Sequence, residues 1–441
     1  MKINRLVLFF LFALVMWVFS PTLAAQETFD SAYLEKFFGA YELTTGRVVY
    51  IQPHTEFGGK LLYSDDTGQL RGLSPVSANE FSAGPGLLVP TPEEMKIAFA
   101  QDSEGKVIGF TLQQNGFPDR SAKRANHYNQ EKVTFLNQDV TLTGILLTPL
   151  GKGPYPAVAL ISGSGPAERY DLIPHVHFLV RQGIAILGYD KRGVRDSTGD
   201  WRRVGLEVLA DDAVAAVQFL KSRKDVDSKR IGVFGSSQGG WVGPLAASKS
   251  EDVAFVISVC GPGVSPAEQE LDRVGHDLRL RGFSGDEITE ALTLMRSRDN
   301  FARGTESWED FQAAVAKTSE AKWIQYVPMP RSRDARTFEF WRRLPIDYNP
   351  TPVLEKVRVP VLALFGELDQ NVLPQKNSER WMGAFQKSAN EDTLIEILPR
   401  ARHSLLEAQT GSDEEVPMLK RFVPEYMPLL LDWLRKHGVA P

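Results

Sequence analysis

Two adjacent serines raise the possibility of a nucleophile in the stretch GVFGSSQGG, residues 232–240. Only Ser237 has a glycine two residues away on each side, Gly235 and Gly239. This spacing matches the G-x-S-x-G pattern of a reactive serine on a sharp turn between a strand and a helix. Glycine is needed there because a β-carbon would collide with the neighbouring strand or helix. The pattern therefore favours Ser237 over Ser236.

A serine hydroxyl is a weak nucleophile at neutral pH and needs a base that an acid holds in place. In sheets that carry such a serine, the acid and then the histidine follow it along the chain. Asp369 comes just after the apolar run VLALFG, with Glu367 as a competitor, and His403 follows the next apolar run. The one later histidine, His437, falls in the terminal helix. We therefore predict a triad of Ser237, His403 and Asp369.

Such a triad also needs N–H donors for the negative charge that develops on the attacked carbonyl oxygen. One is expected from the backbone of Gln238, directly after the nucleophile, and the other from the loop SGSGPAERYD after an early apolar run. Ser164 is the best single choice within that loop. The later segment YDKRGVRDSTGD is interpreted as structural support, acting through Asp190 and Arg192.

The other histidines and the single cysteine are weaker candidates. His175 and His177 form an H-x-H pair that could face a cleft or bind a metal, but no third ligand is evident, so a structural role is favoured. Cys260 ends an apolar run and is interpreted as a buried structural thiol, since a single cysteine cannot form an internal disulfide. No metal site and no cofactor are predicted.

The elements that must position these residues alternate between strands and helices from about Val133 onward. This alternation is typical of a mostly parallel sheet with helices on both faces. Helices are predicted at 206–223 and 429–438. The predicted strands are 140–147, 157–163, 184–190, 231–236, 253–259, 361–366 and 394–398.

One further segment precedes this alternation of strands and helices, and another interrupts it. Residues 26–125 contain short alternating strands with acidic turns and predict a small antiparallel β domain, followed by a polar linker at 121–130. Residues 264–349 are helical in pattern and predict a cap inserted in an α/β domain of residues 126–441. Such a cap would cover the crevice where these sheets bind ligands. Three cap aromatics would line the pocket or fill the cap core: Trp323, Phe338 and Trp341.

The first 25 residues have the pattern of an export signal. Lys2 and Arg5 precede the apolar run 6–19, and small residues follow up to Ala25. The run is shorter than the roughly 20 residues that a membrane-spanning helix needs. We therefore expect residues 1–25 to be removed and the mature protein to be periplasmic or secreted, without stable membrane insertion.

Composition excludes several classes of protein. The chain has 441 residues, of which 43% are hydrophobic and 24% charged, and this is ordinary for a folded globular protein of more than one domain. The net charge is -5 and the basic residues are scattered, which argues against a nucleic-acid partner. The oligomeric state stays open.

The motifs ISGSGP, YDKRGVRDSTGD, GSSQGG, FGELD and RARH occur in an order that resembles the α/β-hydrolase superfamily. The resemblance runs from about Val133 to the C-terminus and is to exported bacterial esterases and to serine aminopeptidase and prolyl-oligopeptidase-like groups. It implies an α/β-hydrolase fold and hydrolysis of a small ester or amide without a cofactor. Two positions depart from the family pattern: Ser162 stands where many relatives carry histidine, and Arg195 stands where glycine is usual.

The first hypothesis is therefore a serine hydrolase that cleaves carboxylic esters with short to medium acyl chains. Esters are preferred because nothing in the sequence supplies an anchoring pocket for a peptide amine or a proline. A serine peptidase of aminopeptidase or prolyl type, or a thioesterase, is the alternative. A different class of function is an inert hydrolase fold whose β domain binds a glycan or lipid.

Overall fold

A computed structural model describes Phe29 and residues 31–54, 60–171, 173–330 and 346–441. The predicted export signal at 1–25 and two of the cap aromatics, Phe338 and Trp341, lie outside these residues. None of the helices described has the length and apolar character that crossing a membrane requires.

The N-terminal part of the chain forms a closed antiparallel barrel of eight strands, preceded by the short helix α1 (Ser31–Leu34). β1 pairs with β8 to close the barrel. Large apolar side chains fill its interior, among them Phe37, Tyr41 and Phe110. The strands are β1 (Gly39–Leu43), β2 (Val48–His54), β3 (Lys60–Asp65), β4 (Leu70–Pro75), β5 (Glu80–Ala83), β6 (Met95–Gln101), β7 (Val107–Gln114) and β8 (Arg120–Ala125).

The stretch 121–130, predicted to be a linker, is mostly strand. Its first half completes β8, and its last residues begin β9 (Tyr128–Asn137). Polar side chains suit both strands because most of their positions are only partly buried or exposed. The linker prediction is therefore wrong, and the barrel passes almost directly into the second sheet.

The second sheet has eight strands in the order β16-β15-β14-β13-β11-β12-β10-β9. β10 pairs antiparallel with β9 and β12, and the other neighbours are parallel. The central strands are continuous apolar runs because helices cover both faces. This topology confirms the predicted α/β-hydrolase fold. The strands after β9 are β10 (Val140–Pro149), β11 (Tyr155–Ile161), β12 (Ala185–Tyr189), β13 (Val226–Ser236), β14 (Phe255–Val259), β15 (Val361–Gly366) and β16 (Thr393–Leu398).

Nine described helices follow α1. They are α2 (Ile173–Arg181), α3 (Leu206–Lys221), α4 (Gly239–Lys249), α5 (Pro266–Leu280), α6 (Gly285–Arg303), α7 (Trp308–Lys317), α8 (Thr351–Leu354), α9 (Pro374–Ser388) and α10 (Tyr426–Lys436). One core lies between the sheet and α3, α4 and α9. The core on the other face contains α2, α10 and also barrel residues, including Phe38 and Tyr50. Barrel and sheet therefore share an apolar core.

The helices α5, α6 and α7 lie between β14 and β15 in the chain. Each begins at a serine whose hydroxyl accepts a backbone N–H of the first turn, at Ser265, Ser284 and Ser307. The three helices contain a small core of their own. Trp323 is 1% exposed within it, so this aromatic fills the cap core.

Candidate active site

Ser237 lies on the sharp turn between β13 and α4. Its φ is +53°, a left-handed conformation that non-glycine residues rarely adopt. Its N–H donates to the carbonyl of Val259 in the neighbouring strand β14, at 2.9 Å. A β-carbon on Gly235 would lie 2.1 Å from the oxygen of Gly239, and one on Gly239 would lie 2.4 Å from the oxygen of Ile161. The two glycines therefore permit the turn for the steric reason that the motif predicts.

The ring of His403 is held by Asp369. Its Nδ1 lies 2.7 Å from Oδ2 of the carboxylate, whose side chain is fully buried. The second carboxylate oxygen accepts the N–H groups of Asn371 and Val372, at 2.8 and 2.9 Å. In the tautomer that places a proton on Nδ1, facing this carboxylate, Nε2 is the ring nitrogen that can accept a proton. Glu367 is exposed and accepts a backbone N–H elsewhere, so Asp369 is the acid that faces the histidine.

These side chains meet at one edge of the sheet. Ser237, Asp369 and His403 follow the carboxyl ends of β13, β15 and β16, which are parallel strands. Ser237 and His403 line the same cavity, of about 300 Å³. The loop with Ser164 lines this cavity as well. A β-carbon on Gly163 in that loop would lie 3.3 Å from the β-carbon of Ser237, which shows how closely the loop approaches the serine.

Barrel residues form part of the wall of this cavity. The N–H groups of Leu70 and Leu87 donate to the carbonyls of Lys420 and Leu419, at 2.7 and 2.9 Å, in the segment that follows His403. The barrel leucines Leu62, Leu70 and Leu87 line the cavity. They also belong to one buried cluster with Leu406, Ala408 and Leu419. Nothing in the sequence analysis indicated this wall, because alternating apolar residues do not reveal which distant segment they contact.

The cap was expected to cover this crevice. Among the residues described, however, none from α5, α6 or α7 lines the cavity of Ser237 and His403. Arg273, Asp277 and Arg281 of α5 border only a separate cavity of about 70 Å³ on another side of His403. In the described part of the cap, α5 therefore approaches His403 from this smaller cavity, whereas barrel leucines contribute to the wall of the cavity of Ser237.

Lys191 anchors the loop that carries Ser164. Its ammonium donates to the carbonyl oxygens of Gly163 and Gly165 and to Oε1 of Gln238, at 2.5, 3.1 and 3.2 Å. In a trans peptide the C=O and N–H groups point in opposite directions. Anchoring the Gly163 carbonyl therefore turns the N–H of Ser164 away from Lys191.

The protonation of Lys191 matters for this anchoring. Burial lowers the pKa of Lys191 to about 7, against the opposing effect of the negative charges of Asp171 and Asp212. A protonated ammonium has three donors for its three acceptors, whereas a neutral amine has only two. Lys191 is not among the predicted site residues, because a lone lysine usually indicates a solvated charge. Its place two residues after the end of β12 was the one available signal.

The neighbouring charged residues form buried ion pairs, in agreement with their interpretation as support. Asp190 binds the guanidinium of Arg169 at 2.5 Å, and Arg192 binds Asp212 at 2.6 Å. Arg195 has a φ of +46°, in the left-handed region that favours glycine. Glycine is the usual residue at this position in the α/β-hydrolase pattern.

The two histidines of the H-x-H pair do not converge. His175 lines the cavity of Ser237, and its Nδ1 lies 3.1 Å from the hydroxyl of Tyr426. The ring of His177 stacks on Tyr50 with 4.2 Å between centroids. Burial lowers the pKa of His175 to about 4 and the pKa of His177 to about 3. Both rings are therefore neutral near pH 7.

Cys260 is fully buried beside the acid of the site. Ligand atoms of Cys260, Asp369 and His403 lie within 4.8 Å of one another, the one group of three such residues in the described part of the chain. Burial and the charge of Asp369 raise the pKa of the thiol, so it stays protonated near neutral pH. The direct bond between His403 and Asp369 engages atoms that a metal would need. The group therefore fits a hydrogen-bonded histidine–aspartate pair beside a buried thiol better than a metal site.

Comparison with known proteins assigns the family. A family model described as X-Pro dipeptidyl-peptidase (S15 family) matches residues 114–404 of the 441. The chain belongs to the S15 family. The matched range includes the site residues of this S15-family protein, from Ser164 to His403.

Curated relatives of this S15-family protein include hydrolases. Esterase EstD of Thermotoga maritima is 25% identical over 341 residues, which are 74% of this chain and 73% of that protein. Thiohydrolase apmlB of Arthrinium phaeospermum is 29% identical over 267 residues, 54% of this chain and 80% of that protein. The family and these relatives support a serine hydrolase of the α/β-hydrolase superfamily.

Solved structures with similar folds were also found. The alpha/beta hydrolase GrgF from Penicillium sp. sh18 has a TM-score of 0.44 and 23% identity, covering 70% of this chain and 99% of that one. The Pyrococcus furiosus esterase Pf2001 has a TM-score of 0.44 and 17% identity, covering 70% of this chain and 91% of that one.

Proposed function

We propose that this S15-family protein cleaves carboxylic esters through Ser237, His403 and Asp369. The observation that carries the proposal is the bond of 2.7 Å between His403 and Asp369, beside a cavity that also contains Ser237 on its left-handed turn. A serine, a base and a buried acid on the ends of three parallel strands are the groups that acyl transfer requires.

In the proposed mechanism, Nε2 of His403 takes the proton of Ser237 as its Oγ attacks the substrate carbonyl. Asp369 stabilises the imidazolium that forms. The backbone N–H groups of Gln238 and Ser164 donate to the oxyanion of the tetrahedral intermediate. His403 then gives its proton to the leaving alcohol, and an acyl-enzyme remains. Water, activated by the same histidine, releases the acid and restores the serine.

Peptide cleavage is the second candidate, because the family model is described by a dipeptidyl-peptidase activity. Binding the ammonium at a peptide N-terminus calls for a negatively charged partner. Among the described residues that line the cavity, Asp171 is the one carboxylate, and its Oδ2 already accepts the N–H of Glu168 at 2.6 Å. The barrel side of the wall is leucine. This lining favours an uncharged acyl group, and the volume of about 300 Å³ suits short to medium chains.

The test compares Ser237→Ala with Ser236→Ala as its matched control. With p-nitrophenyl butyrate as substrate, we expect Ser237→Ala to lower kcat by at least about 1,000-fold, as loss of a nucleophile does. Ser236→Ala should retain kcat within about threefold. A fluorophosphonate probe should label the wild-type protein and not Ser237→Ala. Full activity of Ser237→Ala would refute the assignment, and absence of labelling in the wild type would favour an inert binding protein.

A substrate panel separates the candidate bonds. p-Nitrophenyl esters, a butyryl thioester, and aminoacyl and Gly-Pro p-nitroanilides are compared by kcat/KM. We expect the esters to have the highest value. A higher value for the Gly-Pro anilide would replace ester hydrolysis by dipeptide release, and a higher value for the thioester would indicate a thioesterase.

We also propose that the protein acts after export, on the basis of the signal pattern in residues 1–25. N-terminal sequencing of the protein recovered from the periplasm or medium of an expressing bacterium should find a start at residue 25 or 26. Full-length protein confined to the cytoplasm would contradict export.

A further inference from the structure

A second cavity lies beside the cavity of Ser237, between the barrel and the sheet domain. Its volume is about 580 Å³. Leu70 and Phe422 line both cavities, so these two side chains form the boundary between them. Leu70 is held in place by the bond of 2.7 Å between its N–H and the Lys420 carbonyl. The second cavity therefore adjoins the cavity of Ser237 at these two side chains.

His177 lines this second cavity, and both nitrogens of its buried ring lack a partner in the described part of the protein. Its side chain is buried, at 1% exposure, and neither ring nitrogen has a hydrogen-bond partner. The low pKa of His177 keeps the ring neutral, with one N–H donor and one acceptor nitrogen. Buried polar atoms without partners cost free energy. A hydroxyl or amide of a ligand would supply the missing partner.

The charged groups that line the cavity are two carboxylates, Asp65 and Asp66, and the guanidinium of Arg181. Asp65 accepts from the guanidinium of Arg47 at 2.8 Å and from the N–H of Thr67 at 2.9 Å. Asp66 also accepts from Arg47, at 3.3 Å. The rest of the lining includes apolar side chains such as Met427. The lining therefore holds charges of both signs, with both carboxylates engaged by Arg47, beside apolar walls and a neutral histidine. A ligand charge of either sign would meet an opposing group, so the lining favours an uncharged ligand.

We propose that the second cavity binds the distal part of the substrate. One arm of the ester, its acyl chain or its alcohol, extends from Ser237 past Leu70 and Phe422 and ends in a neutral hydroxyl, carbonyl or amide group that pairs with His177. The inference rests on the proposed ester hydrolysis and narrows its substrate class to esters with an extended, uncharged arm that carries a distal hydrogen-bonding group.

The first test fills the second cavity. Met427 lines the second cavity and not the first, so Met427→Trp reduces its space without altering the residues beside Ser237. The matched control is Met382→Trp, the same change at an exposed position that lines neither cavity. The readout is the ratio of kcat/KM for p-nitrophenyl octanoate to that for p-nitrophenyl acetate. We expect Met427→Trp to lower this ratio at least tenfold, and Met382→Trp to leave it unchanged.

The corresponding ratio of kcat/KM for octyl acetate to that for methyl acetate is measured in parallel, and it distinguishes the alcohol arm of the ester from the acyl arm. A loss confined to the octanoate assigns the second cavity to the acyl chain, and a loss confined to octyl acetate assigns it to the alcohol. Either result supports the proposal. Thermal midpoints of both tryptophan variants confirm that the compared proteins are folded.

The second test addresses His177 through His177→Phe, which keeps an aromatic ring for stacking on Tyr50 but removes both nitrogens. On the arm that the first test assigns, an octyl chain with a terminal hydroxyl is compared with the plain octyl chain. We expect about a fivefold loss of kcat/KM for the hydroxylated substrate relative to the plain one, the effect of one neutral hydrogen bond.

The outcomes distinguish a failure of the distal site from a failure of the proposed ester hydrolysis. Equal ratios for wild type and Met427→Trp in both series, with ester cleavage still dependent on Ser237, would overturn the distal site and leave ester hydrolysis standing. An unchanged preference in His177→Phe would overturn the role of the histidine. If the wild-type protein cleaves no ester at all, the proposed function fails and the distal site fails with it.

Discussion

Two neighbouring residues, Asp369 and Glu367, are candidates for the acid that orients His403. Asp369 and Glu367 both follow β15, but Asp369 is buried against His403 whereas Glu367 is exposed. We predict that Asp369→Asn lowers kcat for p-nitrophenyl butyrate about 10,000-fold, because the amide favours the wrong tautomer of the histidine. Glu367→Gln should stay within about threefold of wild type. Steady-state kinetics check both, and the opposite order would move the role of acid to Glu367.

Lys191 is expected to act as a positioning residue for the loop of Ser164 and for Gln238. Lys191→Met keeps the length of the side chain and removes all three donors to the loop of Ser164 and to Gln238. We predict a fall in kcat of about tenfold to a hundredfold with a smaller change in KM, because the oxyanion donors act mainly in the transition state. A purely structural role would instead lower the thermal midpoint and leave the kcat of the folded protein unchanged.

At the turn between β13 and α4, the backbone of β11 approaches Gly239 so closely that it leaves no room for a side chain. A β-carbon at Gly239 would contact the Ile161 oxygen of β11 at 2.4 Å, whereas one at Gly243, four residues later on α4, would find its nearest atom at 3.6 Å. We predict that Gly239→Ala abolishes most activity and costs about 1–3 kcal/mol of unfolding free energy, as overpacking does. Gly243→Ala should be neutral or stabilise by up to about 1 kcal/mol, since alanine favours helix. Urea unfolding and kinetics on both variants test this, and equal effects would contradict the steric account.

For the whole molecule, the barrel and the sheet domain act together. They share an apolar core, and Arg195 joins them through ion pairs with Glu168 and with Glu35, which precedes the barrel. The barrel also contributes leucines to the wall of the cavity that Ser237 lines. Substrate selection is therefore expected to depend on both domains.

The buried histidine between the domains makes the stability of the whole protein depend on pH. The pKa of His177 is about 3 in the folded protein and 6.5 as its ordinary value, so the unfolded protein binds more protons between these pH values. The free energy of unfolding therefore falls as the pH is lowered from 6.5 towards 3. From pH 7 to pH 5 this single group contributes a loss of about 2 kcal/mol.

We predict that His177→Phe removes this contribution. Its unfolding free energy should fall by about 2 kcal/mol less than that of the wild type between pH 7 and pH 5. Urea unfolding at the two pH values provides the measurement. Identical pH dependence in both proteins would show that the ring gains a proton without cost and is not held neutral by burial.

Much of the sheet and the choice of site residues could be predicted from local patterns. Apolar runs predicted β10 to β16, and several of these runs are continuous, as buried parallel strands require. Glycines at positions 235 and 239 selected Ser237 through a steric rule that acts within a few residues. Chain order then selected Asp369 and His403, which the fold brings to one edge of the sheet. In the barrel, by contrast, short strands such as β5 were missed because their pattern is weak.

The tertiary structure alone decided which side chains surround Ser237. The leucine wall depends on pairing between β4 and the segment near Lys420, and the anchoring of the Ser164 loop depends on Lys191 reaching carbonyls from a different strand connection. The unpartnered nitrogens of His177 likewise depend on burial between two domains. Local sequence patterns report periodicity and steric demand within one element, whereas these contacts join elements far apart in the chain, so they exist only once the chain has folded.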